Sequence, residues 1–449
     1  MSFGALALHP QLLSRLTALN FTQPTAIQTE AIPVILSGKD VMAGAQTGTG
    51  KTAAFCLPIL HQLLSLQDNQ LEQANTNQAS TAEANEKQAD ELLEISSANS
   101  GAIHSGSANS SRARKVKALV LTPTRELAQQ VHHNLTQLMA DTDLKAALLY
   151  GGVSTQAQIS ELAAGVDVIV ATPGRLLDLL RRRATSLSAV DYFVIDEADR
   201  MLDMGFRDEI IEVLKRLPKQ RQTLLFSATL DDRIFSFSKR LLTQAKVIET
   251  HARNQTAVTV TERVYNVDTH KKCDLLCKLI TVEKWQQVLI FSRTKQDADV
   301  LVKQMSQRGV KVAALHADLS QLIREQVLTD FKAGELTALV ATDVAARGID
   351  IAQLDYVVNM ELPFKLEDYV HRIGRTGRAG QAGHAITLLS VDDEPFLIKL
   401  EAYLDKRLPQ QWYPGFEPDL TQVAPVTRKT KKGSLKQQAR QKALAQSKR

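Results

Sequence analysis

Short apolar runs of strand length recur along this chain, and each one runs directly into a polar or glycine- and proline-rich cluster. Residues 118–121 lead into Thr122-Pro123-Thr124-Arg125, 147–150 into Gly151-Gly152, and 168–171 into Thr172-Pro173-Gly174-Arg175. Residues 192–195 lead into Asp196-Glu197-Ala198-Asp199, and 223–226 into Ser227-Ala228-Thr229. Helical patterns separate the runs. Continuously apolar strands alternating with helices imply a parallel sheet covered on both faces. Ligands of such sheets bind outside the carboxyl ends of the strands, where every one of these clusters falls. After a polar stretch at 251–256 the scheme restarts: 288–291 into Ser292-Arg293-Thr294, 312–315 into His316, 338–341 into Thr342-Asp343, then 356–359 and 385–389. The expected fold class is therefore α/β, with two parallel-sheet lobes in tandem.

Only the first lobe carries a phosphate loop. Val41-Met42-Ala43 precedes Ala45-Gln46-Thr47-Gly48-Thr49-Gly50-Lys51-Thr52, and a helical pattern opens at Ala53. Strand, glycine loop and helix together give G-K-T its meaning. Backbone N–H groups of the loop and the helix start capture phosphate oxygens. Lys51 adds a charge at the β/γ phosphates and Thr52 a hydroxyl for Mg²⁺. Ala45 stands where the usual pattern has its first glycine.

Asp196 and Glu197 end an apolar run, the expected place for the acidic partner of that loop. Asp196 would hold Mg²⁺ opposite Thr52. Glu197 would accept a proton from the water attacking the γ-phosphate. In the second lobe, His371-Arg372-Ile373-Gly374-Arg375-Thr376-Gly377-Arg378 spaces Arg372, Arg375 and Arg378 three apart, as if on one helical face. Two of these could serve as arginine fingers, neutralising charge that develops in the transition state. Near the start, Thr22 and Pro24 read as a helix start, which puts Gln28 on its first turns. A planar amide there can read an adenine edge; taken alone, the residue reads more simply as a solvated helix glutamine.

Bulk properties exclude several classes. The chain has 449 residues, room for about three domains, with 44% hydrophobic and 23% charged residues and a net charge of +5. Cys56, Cys273 and Cys277 are too few for a disulfide framework and have no zinc spacing; core packing is the expectation for Cys273 and Cys277. No apolar run approaches a membrane span, and Met1-Ser2-Phe3 begins no signal peptide. A cytoplasmic protein is expected.

Two segments stand apart from the lobes. The first helix after the loop is expected to end near Leu66. Residues 67–111 are Gln, Asn, Ser, Ala and Glu, with seven acids against Lys87, a balance of −6. Such a composition predicts a disordered acidic insertion. Past Pro425, Arg428, Lys429, Lys431, Lys432, Lys436, Arg440, Lys442, Lys448 and Arg449 contribute nine positive charges and no acid follows Asp419, which predicts a disordered basic tail over 425–449.

The motifs in this order resemble those of the DEAD-box RNA helicases of superfamily 2, over roughly residues 1–413. Asp196-Glu197-Ala198-Asp199 is the sequence that names that family. The start, the compact lobes and the basic tail look most like the bacterial RhlE-type branch. The resemblance implies two RecA-like lobes, an ATP-binding lobe over 1–250 (with a Q motif at 1–28) and a C-terminal helicase lobe over 257–413. It also implies ATP and Mg²⁺ as the nucleotide and metal. Phe3 would stack on adenine, Gln28 would read its edge, Asp350 would contact the ribose, and Arg375 and Arg378 would be the fingers. Asp199, Ser227, Thr229 and His371 would couple ATP to RNA. RNA would cross Pro123, Thr124, Arg125, Gly151, Gly152, Thr172, Pro173, Gly174, Arg175, Arg293, Gln321, Arg324 and Thr342. These are mostly small, hydroxyl or arginine groups suited to phosphate and 2′-OH, so binding should be indifferent to sequence. Asn20 and Ala317 replace glycines common in the family.

The expected activity is RNA-stimulated ATP hydrolysis by lobes that close on ATP and RNA, separating short duplexes or remodelling RNA–protein complexes. An ATP-gated RNA clamp with little unwinding and a DNA helicase are the alternatives. A P-loop GTPase is disfavoured, since no N-K-x-D motif is present. Ribosomal or RNA-decay proteins are the candidate partners, and a monomer is expected.

Overall fold

The computed structural model describes residues 2–45, 48–92, 114–250, 260–346, 349, 354–377 and 382–419. The chain divides into two compact units, each built on its own seven-stranded sheet.

In the first unit the strands are β1 (Val41–Gly44), β2 (Ala118–Leu121), β3 (Ala146–Leu149), β4 (Val168–Ala171), β5 (Tyr192–Ile195), β6 (Gln222–Ser227) and β7 (Lys246–Glu249). They lie in the order β3-β4-β2-β5-β6-β1-β7, every pairing parallel. The helices are α1 (Pro10–Ala18), α2 (Ala26–Leu36), α3 (Lys51–Leu92), α4 (Arg125–Leu138), α5 (Thr155–Ala163), α6 (Pro173–Arg181), α7 (Ala198–Asp203), α8 (Arg207–Leu214) and α9 (Asp232–Ser238). Alternation along each strand sends side chains to opposite faces. Val41, Ala43, Ala118 and Val120 join the core under α1 to α4, while Met42, Leu119 and Leu121 join the core on the other face.

The second unit repeats the plan with β8 (Val260–Asn266), β9 (Val288–Ser292), β10 (Val312–Leu315), β11 (Ala338–Thr342), β12 (Tyr356–Asn359), β13 (Gly383–Leu389) and β14 (Gln410–Gln411). The order is β10-β11-β9-β12-β13-β8-β14, again parallel throughout. The remaining helices are α10 (Lys272–Val282), α11 (Lys295–Gln307), α12 (Gln321–Lys332), α13 (Asp343–Ala346), α14 (Leu366–Ile373) and α15 (Glu394–Leu404). Val288, Ile290, Val340 and Val358 fill one core with Cys273, Cys277 and Trp285. All three cysteines are buried and unbridged.

One expectation is corrected here. The helix after the phosphate loop does not end near Leu66: α3 continues to Leu92. The stretch contains neither Gly nor Pro and is rich in good helix formers. Extending a helix already nucleated by packing needs no new nucleus. Its first turn beyond the core is also tied down, since Asp68 accepts a hydrogen bond from His9 at 2.8 Å. The rest of the expected insertion, residues 93–111, and the expected tail, 425–449, lie outside the described residues. No helix among the described residues is long and apolar enough to cross a membrane.

Candidate nucleotide and RNA sites

β1 delivers the phosphate loop at the carboxyl edge of the first sheet, and the Ala45 N–H bonds the Ser227 carbonyl of β6 at 3.0 Å. Gly48 and Gly50 take φ of 88° and 90°, values that glycine adopts freely and other residues do not. Lys51 begins α3, buried, with its Nζ donating to the Ala45 carbonyl at 2.8 Å. The lysine is thus folded over the loop it serves. Thr52 sits in the same first turn. Gln46 and Thr47 lie outside the described residues.

Gln28 stands on the first turn of α2, but the helix starts later than Thr22 and Pro24 suggested. Thr25 is the N-cap and Gln28 completes a capping box. The Gln28 side chain is fully engaged in this state: Oε1 accepts from the Thr25 N–H at 2.9 Å, and Nε2 donates to the Gly50 carbonyl at 3.1 Å. The reading of Gln28 as a solvated glutamine is excluded, since it is buried. Phe3 is buried as well, with its ring edge-on to Phe21 at 6.1 Å between centroids.

β5 places Asp196 beside this loop. The carboxyl is buried, and burial pushes it from 3.8 up to about 7 against the pull of Lys51, with Glu197 and Asp199 adding to the rise. Its Oδ1 accepts from the Glu197 N–H at 2.9 Å. Glu197 itself is buried at φ 52°, ψ 52°, a left-handed conformation costing a non-glycine residue about 1–2 kcal/mol. Such strain at a strand end is characteristic of functional sites. Asp199, one turn on, is buried with Oδ1 lacking a hydrogen-bond partner among the described residues. Its Oδ2 is 3.5 Å from the Thr229 hydroxyl, and Ser227 Oγ donates to the Thr229 carbonyl at 2.6 Å. The acidic cluster and the β6 turn are thereby linked.

These residues fit a nucleotide and a hard divalent cation. Positive-φ glycines make a nest of N–H groups for phosphate. A desolvated carboxyl near Lys51 and Thr52 is short of positive charge. Mg²⁺ is held by one or two carboxylates plus phosphate oxygens and water, rather than by an all-protein cage. No group of three or more His, Cys, Asp or Glu able to hold a metal occurs among the described residues.

The other clusters of the first unit converge along the same carboxyl edge. Thr124 caps α4, accepting from the Leu127 N–H at 3.2 Å, with Pro123 just before it. Arg125 leans over Gly152: a Cβ there, where φ is 90°, would fall 2.4 Å from its Nη1. Gly151 precedes it in the turn. Arg175 donates through Nη1 to Gln158 at 2.8 Å and through Nη2 to the Val153 carbonyl at 3.2 Å. Thr172 is the N-cap of α6 with its hydroxyl making no capping bond, Pro173 is the first helical residue, and nothing lies within 4 Å of a Cβ built on Gly174. Three helix starts, two arginines and open glycine backbone give this edge groups suited to anions rather than to base edges.

In the second unit the structure separates the three arginines expected on one helical face. α14 ends at Ile373 with Gly374 as C-cap, so Arg375 lies past the helix and Arg378 lies outside the described residues. The physical reason is a stop. The Thr376 hydroxyl bonds the Leu354 carbonyl, and residues 354 and 376 form a parallel bridge. Arg372 is fully buried, gripping Asp343 through Nε at 2.7 Å and Nη2 at 2.8 Å, and Asn359 through Nη1 at 3.0 Å. It stacks on Phe291 at 5.0 Å. Arg372 is a structural clamp and has no free fork for phosphate. Sequence reasoning missed its partner Asp343, because residues 29 apart give no local signal. Thr342 ends β11, Gln321 and Arg324 stand on the first turns of α12, and Arg293 follows β9. His371, on the last turn of α14, has a buried Nδ1 without a partner among the described residues. Asp350 lies outside the described residues.

Comparison with known proteins agrees with this geometry. The family described as DEAD/DEAH box helicase matches residues 25–237, and the helicase conserved C-terminal domain matches 271–380. The ATP-dependent RNA helicase CshA of Listeria monocytogenes is 36% identical over 406 residues, covering 90% of this chain and 69% of that protein. The ATP-dependent RNA helicase RhlB of Xanthomonas axonopodis is 38% identical over 415 residues, covering 91% of this chain and 65% of the relative. Among solved structures, Saccharomyces cerevisiae Dbp5 bound to RNA and ADP BeF3 is similar with a TM-score of 0.74 and 30% identity, covering 91% of this chain and 95% of that one. Mss116 bound to ssRNA and UDP-BeF gives a TM-score of 0.75 at 26% identity, covering 94% and 81%.

Proposed function

We propose a function from one premise: this chain belongs to the DEAD/DEAH box helicase family. It is an ATP-dependent RNA helicase that hydrolyses ATP to ADP and phosphate and uses the cycle to separate short duplexes or remodel RNA–protein complexes. The observation that carries the chemistry is the buried Asp196, pushed up to about 7, next to the loop that Lys51 folds over.

In this reading the N–H groups at Gly48, Thr49 and Gly50 hold the phosphates, and Lys51 leaves the Ala45 carbonyl for them. Thr52 and Asp196 hold Mg²⁺, which would neutralise charge on the β/γ oxygens. Glu197, fixed by its left-handed backbone, takes the proton of the attacking water. Phe3, Gln28 and Asp350 recognise the nucleoside, and Arg375 and Arg378 meet the developing charge; these roles rest on the family's motifs. Asp199, Ser227, Thr229 and His371 pass the state of the nucleotide site to the RNA edge.

RNA is bound through its backbone by Thr124, Arg125, Gly151, Gly152, Thr172, Gly174 and Arg175, supported by the helix starts gathered there, and by Arg293, Gln321, Arg324 and Thr342. Placement on the RhlE-type branch, limits at 1–250, 257–413 and 425–449, a cytoplasmic location, a monomeric state and ribosomal or RNA-decay partners complete the proposal on sequence grounds.

The test is the ATPase rate against single- and double-stranded RNA and DNA, with strand displacement measured beside it. RNA should stimulate hydrolysis and DNA should not. Hydrolysis indifferent to RNA, or stimulated equally by DNA, overturns the reading. RNA stimulation without displacement leaves an ATP-gated clamp.

A further inference from the structure

Phe364 is the most exposed aromatic ring among the described residues, with 73% of its surface open. It is not loosely held. Leu362 before it is buried to 1%, Pro363 is buried as well, and α14 starts two residues later. One face of the ring is covered by the Arg293 guanidinium, centred 5.2 Å from the ring centroid.

Arg293 is fixed in turn. Its Nη2 donates to the Leu362 carbonyl at 3.0 Å and to Asp393 at 3.3 Å, and its backbone N–H bonds Glu361 at 3.2 Å. Its Nε is buried and has no hydrogen-bond partner among the described residues, while 34% of the side chain remains exposed, so the cation is anchored and partly open.

Both residues follow neighbouring strands. β9 and β12 pair in register, Phe291 opposite Asn359, so the turns that carry Arg293 and Phe364 emerge side by side at the carboxyl edge of the sheet. That edge is where open parallel sheets bind ligands.

An anchored cation and an open aromatic face make a surface suited to one chemistry: a nucleotide unit of a single strand, with phosphate on the arginine and base on the ring. Unpaired bases stack on aromatic side chains and guanidinium planes without regard to sequence. We propose that Phe364 is a base-stacking residue for single-stranded RNA, working with Arg293 as a two-part platform in the second lobe. This rests on the RNA-binding reading above and adds to it a contact with a base where the family's motifs supply contacts with the backbone.

The experiment compares full-length wild type, Phe364→Ala and Phe364→Tyr by fluorescence anisotropy at several salt concentrations. The probes are a single-stranded RNA oligonucleotide and the same length of abasic ribose phosphate. Phe364→Ala should weaken RNA binding roughly 5- to 150-fold with an unchanged salt slope, because stacking releases no counterions. Phe364→Tyr should restore it, and on the abasic strand wild type and Phe364→Ala should be equal. Unaltered RNA affinity in Phe364→Ala overturns the proposal. So does a loss that carries a salt-slope change of about 0.7, one phosphate's worth, and appears equally on the abasic strand. Phe364 would then only hold Arg293. A raised KM for ATP with RNA affinity intact also overturns it. Failure of wild type itself to bind RNA would instead remove the RNA helicase reading.

Discussion

Gln28 and Gly50 are bonded at the phosphate loop: Gln28 Nε2 donates to the Gly50 carbonyl at 3.1 Å, and a Cβ on Gly50 would stand 2.4 Å from that nitrogen. Helix α2 and the candidate phosphate loop therefore share one contact. The glycine is required twice, by the space Gln28 fills and by its φ of 90°.

Gly50→Ala should accordingly lose ATP affinity and stability together. A side chain at this φ costs about 1–2 kcal/mol before any clash, a fall in Tm of about 2–8 °C for a lobe of this size. Nucleotide titration and thermal melts check it. Wild-type ATP affinity would show that the loop does not need this conformation.

Glu197→Gln should retain ATP and RNA while kcat falls by about 10²–10⁴. The carboxamide fills the same buried position at φ 52° but accepts no proton. Turnover and ATP-dependent RNA retention are measured on the same preparation. Near-normal turnover removes Glu197 from the mechanism.

Asp196 makes a pH prediction. Its folded value, about 7, lies above the ordinary 3.8, so between those values the folded chain binds the extra proton. Stability of the nucleotide-free, Mg²⁺-free protein then falls as pH rises through that window. Asp196→Asn removes the buried charge. It should melt higher than wild type at pH 8, the gap narrowing toward pH 5, while ATPase activity is lost. A variant that melts lower at pH 8 would show that the carboxylate is stabilised by its neighbours.

Most of the strands were legible because each is an apolar or nearly apolar run, buried on both faces in β2 and β4 and half-buried at the edge strand β10. Residues 118–121, 168–171, 192–195, 312–315 and 356–359 were expected residue for residue as they stand in β2, β4, β5, β10 and β12. The strands that were missed lie toward the sheet edges. β7, Lys246–Glu249, buries only Ile248, β8 has its apolar run broken by Thr261, Glu262 and Arg263, and β14 is two exposed residues. A half-wet strand lacks the continuous apolar run that announces a central one. The candidate nucleotide site could be named from sequence for a related reason, since its residues cluster at strand ends within a few positions. The Arg372–Asp343 clamp could not, because spacing by three on paper cannot show where a helix stops.

Replacing residues 70–110 with a short Gly-Ser linker should leave Tm and RNA-stimulated ATPase nearly unchanged. Among the described residues the buried positions of α3 reach only to Leu63 and Leu64, and Leu66 is already exposed. The His9–Asp68 bond at 2.8 Å lies before the cut. Clear destabilisation or loss of activity would mean that the acidic stretch packs on the first lobe.

Cutting the chain after Pro425 should weaken RNA binding without changing turnover at saturating RNA. The nine cations there are accompanied by no acid, and no catalytic motif lies beyond Arg378. Cations that meet phosphates release counterions, so their removal changes how affinity responds to salt as well as its size. If about three to five of them meet a single strand, the slope of log K against log salt should flatten by roughly 2–3.5. A tail that serves only solubility would leave the slopes parallel and the affinities equal. RNA titrations at several salt concentrations, full length against truncated, separate the two. Parallel slopes would leave the folded lobes as the whole RNA-binding surface.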